Sequence, residues 1–125
     1  MIKEDYVSFE VAKLLKEKGF DEICRAAYTN DGKFITHHNY YSQGYGDEYI
    51  APTHQMVMKW LREKHNICIT IYPDKGNRYE AVLYNIKDDV EIILQSFGIY
   101  GSHIFEDSYE EAVEAALKYS LENLI

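Results

Sequence analysis

The chain has 125 residues, 46% of them apolar, 27% charged and only two of them proline, which excludes a disordered chain with long linkers and suits one domain, residues 1–125, with a core of its own. Twenty-one acidic and 13 basic side chains leave a net charge of −8, which opposes phosphate backbones and makes nucleic acid an unexpected partner. No apolar run approaches the ~20 residues that cross a bilayer, and the opening Met-Ile-Lys-Glu-Asp-Tyr has no signal-peptide pattern, so the expectation is a cytoplasmic protein that does not enter the membrane.

Ser8 is placed to cap a helix from Phe9 to Lys18, in which Phe9, Val11, Ala12, Leu14 and Leu15 form an apolar side and Lys13, Lys16 and Glu17 face water. Gly19 would end it in a left-handed turn that folds Phe20 back onto Leu15. The runs Glu22–Tyr28 and Lys33–His37 flank Thr29-Asn30-Asp31-Gly32, and an Asp-Gly pair between two extended runs predicts a hairpin. From His38 to Tyr49 there is no helical or strand period, and two glycines with four tyrosines predict an exposed loop.

Thr53, after Ala51-Pro52, predicts a second helix running to about His65, with Met56, Val57, Trp60 and Leu61 on one side and Asn66 as its stop. Ile67, Ile69 and Ile71 alternate with Cys68, Thr70 and Tyr72, the period of a half-buried strand. Pro73 to Asn77 has turn chemistry, and Tyr79–Ile86 reads as the second arm of another hairpin. Lys87-Asp88-Asp89 can turn the chain into a third strand, Glu91–Phe97, although Val90, Ile93, Leu94 and Phe97 also fit one helical face. Ser108 and Glu111 form a capping box ahead of the last helix. Its apolar face is Tyr109, Ala112, Val113, Ala116, Leu117, Leu121, Leu124 and Ile125, while Glu110, Glu111, Glu114, Lys118 and Glu122 lie elsewhere. The order α-ββ-α-βββ-α, with hairpins in place of crossovers, predicts an α+β fold: an antiparallel sheet of hairpins covered by three amphipathic helices.

Val7 to Phe20, Ala51 to Asn66 and Tyr109 to Ile125, together over a third of the chain, resemble a family of small uncharacterised proteins from phages and mobile elements of gut anaerobic bacteria. The resemblance implies an accessory cytoplasmic protein in such a setting and carries over no activity and no site residue.

Five histidines raise the question of a metal. His37 and His38 are neighbours and point to opposite faces of a strand, and His54 and His65 sit ~16 Å apart along a helix axis. Neither pair chelates, and no His-x-x-x-His or Cys-x-x-Cys spacing occurs, so no metal and no cofactor is expected. His54 and His65 read as ordinary surface or turn histidines. Cys24 and Cys68 are too few for a disulfide framework and read as buried structural thiols in preference to nucleophiles. The acid pairs Asp47-Glu48, Asp88-Asp89, Glu106-Asp107 and Glu110-Glu111 fit caps, turns and solvated faces before acid–base catalysis. Gly44-Tyr45-Gly46 lacks the third glycine, the preceding strand and the lysine of a phosphate-binding loop. Trp60 shares the register of Met56, Val57 and Leu61 and is expected in the core.

The functional leverage lies in Tyr40, Tyr41, Tyr45 and Tyr49. Tyrosine supplies a large rigid contact area with a hydroxyl, and the neighbouring glycines let a loop conform to a partner. Three roles stay open: recognition of a protein, stacking on a nucleotide or other small ligand, and folding back to complete the core. The expectation is a non-enzymatic accessory protein that binds another protein, a basic one given the negative surface, and that forms a homo-oligomer. The alternative is a small-ligand or nucleotide-binding protein that sequesters its ligand with residues 38–49.

Overall fold

A computed structural model describes residues 1–40, 48–94 and 103–125; for residues 37–40 the backbone alone is described. The three helices begin where hydroxyl caps stand. Ser8 Oγ accepts from Val11 N–H to open α1 (Phe9–Glu17), Thr53 Oγ1 accepts from Met56 N–H to open α2 (His54–His65), and Ser108 Oγ accepts from Glu111 N–H to open α3 (Tyr109–Asn123). Each bond satisfies an amide that the first helical turn leaves without an intrahelical acceptor. After α1, Gly19 takes a φ of +80° and Phe20 N–H returns to Leu15 O at 3.0 Å, the left-handed stop expected of this glycine. Asn66 does the same for α2 with φ +58°.

Strands β1 (Cys24–Tyr28) and β2 (Phe34–Tyr40) form the first hairpin, with Ala27 opposite Ile35 and Tyr28 opposite Phe34. At its turn Gly32 has φ +87°, and an added Cβ would lie 3.2 Å from the ring of Phe9, so both backbone conformation and packing favour glycine there. The stretch 38–49, predicted as a loop, begins and ends in strands, and residues 41–47 lie outside the described residues. β2 continues to Tyr40, and Tyr49–Ile50 forms β3 on the free edge of β1, giving the order β2-β1-β3. A central β1 has two edges to satisfy, and the short Tyr49–Ile50 segment supplies the second set of backbone partners.

The second sheet is built around β5 (Arg78–Asn85), which pairs antiparallel with β4 (Ile67–Asp74) in unbroken register from Ile67 opposite Asn85 to Asp74 opposite Arg78. Pro73 was expected in the turn and instead lies within β4. The bond from Ile86 N–H to Asn66 O extends the same ladder, which places the hydrogen-bonded pairs at even positions of β4 and turns the missing N–H of Pro73 away from β5. The turn itself needs only residues 75–77, with positive φ at Gly76 and Asn77.

The other edge of β5 departs most from expectation. In place of one strand over Glu91–Phe97, two short strands share the position end to end. β6 (Val90–Glu91) pairs with Asn85 and Tyr84, and β7 (His103–Glu106) pairs with Val82 to Tyr79. Ile92 N–H still donates to Leu83 O at 2.8 Å, whereas Ile93 and Leu94 belong to no strand and residues 95–97 lie outside the described residues. The described residues thus form an α+β architecture of three helices and two antiparallel sheets.

Alternation decides which side of the second sheet meets the helices. Ile67, Ile69, Ala81, Leu83 and Ile104 point inward and are buried, packed with Leu15, Phe20, Val57, Leu61, Val113, Leu117 and Leu121 in one hydrophobic core. Trp60 joins that core with its ring 5.2 Å from Phe20, whereas Met56, expected on the same side of α2, is exposed. α3 touches β4, β5 and β7 as well as α1 and α2. Among the described residues no helix is long and apolar enough to cross a membrane.

Candidate functional site: the outer face of the second sheet

The same alternation sends Cys68, Thr70 and Tyr72 of β4, Arg78, Glu80, Val82 and Tyr84 of β5, Glu91 of β6, and His103 and Phe105 of β7 to the opposite face. Register then groups them into neighbours. Tyr72 and Phe105 flank Glu80 from the two adjoining strands, and Thr70 and His103 flank Val82 in the same way. Tyr72 is 49% and Phe105 40% exposed, while Cys68, Thr70, Val82 and Tyr84 are half-buried. Two large rings therefore stand open on a sheet whose inward side is closed by helices.

Polar groups surround these rings and are tied to one another. Arg78 donates to Asp74 at 2.8 Å and lays its guanidinium over the Phe105 ring, 5.3 Å from the centroid. This geometry fixes the arginine by charge and by the π face at once. The Tyr84 hydroxyl donates to Asp89, and that hydrogen bond, with burial and the nearby negative charge, raises the Tyr84 pKa. His103 bridges two carboxylates, Nδ1 to Glu80 at 3.0 Å and Nε2 to Glu91 at 2.8 Å. Burial would lower its pKa; the hydrogen bonds and charges of the two glutamates outweigh burial and raise it. Because the carboxylates meet opposite edges of the imidazole, one ion could not touch all three groups, and no cluster among the described residues is arranged to hold a metal. Four carboxylates, Asp74, Glu80, Asp89 and Glu91, thus face one guanidinium and one imidazole across an aromatic surface.

Of the four predicted tyrosines, the one whose side chain is described, Tyr49, lies away from this face. Tyr40 ends β2 with its backbone opposite Cys24, and Tyr41 and Tyr45 lie outside the described residues. Tyr49 is not in a loop: it opens β3, half-buried, with its ring 5.6 Å from Phe9 and Lys16 Nζ 4.8 Å above it. Its aromatic area is engaged in packing β3 against α1.

Two groups dismissed from sequence behave differently in the fold. His54 is not a surface histidine; its side chain is 6% exposed and Nε2 meets Glu114 Oε1 at 2.9 Å. The same Oε1 accepts Ser8 N–H at 2.8 Å. Glu114 lies off the main apolar stripe of α3, and only the meeting of α1, α2 and α3 reveals why a carboxylate is needed there. A cleft of about 170 Å³ opens beside His54, bordered by Glu4, Asp5, Thr53, Gln55 and Tyr109. Cys24 is buried as expected, and burial, with the charge of Glu22, pushes its thiol up to about 12, far from the range of a reactive thiolate. Cys68 is only half-buried and belongs to the outer face. One weak signal for that face was present in sequence: the polar members of the Ile67–Tyr72 alternation include the exposed Tyr72. No family model, curated protein or solved structure matches the chain.

Proposed function

We propose that the chain is a non-enzymatic binding protein whose outer sheet face, centred on Tyr72, Val82 and Phe105, recognises a basic protein segment. The observation that carries this reading is the pair of open aromatic rings set among four carboxylates. Aromatic side chains supply most of the energy at protein interfaces, and surrounding charge supplies orientation and association rate. Among these side chains Asp74, Glu80, Asp89 and Glu91 outnumber Arg78 and His103 by four to two, so the cluster carries net negative charge and fits lysine or arginine. It opposes phosphate, which disfavours a nucleotide as occupant despite the aromatic rings. In the phage or mobile-element setting implied by the sequence resemblance, this is the role of a cytoplasmic accessory protein.

The test uses a defined probe. A peptide of alternating lysine and valine, added to isotopically labelled protein, should shift the amide resonances of Tyr72, Val82, Tyr84 and Phe105. A peptide of alternating glutamate and valine should leave them in place. Equal shifts with both peptides, or shifts confined to other surfaces, would contradict the assignment.

A further inference from the structure

The cluster of His103, Glu80 and Glu91 imposes a proton count. A neutral imidazole carries one N–H, and only the imidazolium donates from both ring nitrogens. With Nδ1 on Glu80 at 3.0 Å and Nε2 on Glu91 at 2.8 Å, two ionised carboxylates are satisfied together only by the charged ring. These bonds join three strands, since Glu80 lies in β5, Glu91 ends β6 and His103 begins β7. β6 itself has only two residues paired with β5 and a Val90 that is 52% exposed; beyond the His103 bond it is tied by the Tyr84–Asp89 hydrogen bond ahead of it, the bond from Ile92 N–H to Leu83 O, and the buried Leu94 after it. β7, in contrast, makes four pairs with β5 and buries Ile104.

We propose that His103 is a proton-operated clasp that holds β6 on the edge of β5, engaged as the imidazolium and released when the ring becomes neutral. The neutral ring keeps its hydrogen on Nδ1, toward Glu80, which is the more enclosed carboxylate and lies on the strand firmly paired with β7. Nε2 then presents a lone pair to the Glu91 carboxylate, and an attraction becomes a repulsion. Among the described residues the Glu91 carboxylate has no hydrogen-bond or ion-pair partner besides His103. Arg78 of β5 is held by Asp74 of β4 and by the Phe105 ring, Asp89 ahead of β6 accepts from Tyr84 of β5, and residues 92–102 contain no Asp, Glu, Lys, Arg or His. The raised pKa of His103 gives the sign. A group whose pKa is raised by an interaction stabilises that interaction fully below its ordinary pKa, and the stabilisation is lost as pH rises through the raised value.

This inference is independent of any partner, and residue-resolved NMR on the unsubstituted chain tests it. The His103 ring nitrogens should titrate above the ordinary histidine value of about 6.5. Over the same interval, hydrogen-exchange protection at Ile92, corrected for the intrinsic rate, should fall by about tenfold for each unit by which the His103 pKa exceeds that value. Protection at Ile104, opposite Ala81, should not follow it. In His103→Gln, which offers a single amide group at every pH, Ile92 should be weakly protected throughout. A midpoint at or below the ordinary value, or Ile92 protection indifferent to the His103 titration, overturns the clasp; the result on the unsubstituted chain decides the matter even if the variant does not fold.

Discussion

Glu114 holds three helices together through one oxygen. Its Oε1 accepts from the backbone of Ser8, the cap of α1, and from the His54 ring at the start of α2. Burial pushes the Glu114 pKa up, but the hydrogen bonds of His54 and Ser8 and the charge of His54 outweigh it and hold the carboxyl below its ordinary value of 4.5. A carboxylate whose pKa is lowered on folding contributes stability that is complete above the ordinary value and is lost as pH falls through the folded one. Glu114→Gln should therefore flatten the acid side of a plot of urea midpoint against pH, below the ordinary value of 4.5. An acid slope identical to the parent's would contradict this account. Neither partner is legible from sequence alone, because the Glu114–His54 pair spans 60 positions and neither residue lies in a motif.

At the scale of elements, what could be read in advance is what local chemistry specifies. Ser8, Thr53 and Ser108 each combine a hydroxyl cap with a following amphipathic run, and all three helices start where those signals stand. Ser108→Ala should accordingly cost about 1 kcal/mol, since Glu111 N–H would lose its side-chain acceptor; a denaturation midpoint equal to the parent's would show that this bond adds nothing. The Asp31-Gly32 turn is equally local. The third-strand position was not legible for the opposite reason. Val90–Glu91 and His103–Glu106 are too short to show a period, and both are strands only because β5 offers an edge. The 38–49 stretch was misread at its ends by the same logic, since Tyr40 and Tyr49 become strand residues through β1.

At the scale of the whole molecule, one core closes the inward side of the second sheet, and the other side is left with aromatic rings among carboxylates. The parity of Ile67, Ile69 and Ile71 already divides β4 into two faces, but sequence alone could not place Phe105 and His103 beside Tyr72 and Val82, because that depends on β7 joining β5. Of the tyrosines singled out by the sequence, Tyr49 packs against α1, and Tyr41 and Tyr45 lie outside the described residues. On the proposed reading the outer face binds a basic segment without supporting the core. It is tested most directly by replacing Tyr72 and Phe105 together with serine and titrating parent and variant with the lysine–valine peptide. The variant should melt within a few degrees of the parent, as expected for exposed side chains, and lose at least tenfold in affinity, as expected when aromatic anchors worth more than about 1.4 kcal/mol are removed. A variant that binds the peptide as tightly as the parent, or one that unfolds because the rings were structural, would contradict it.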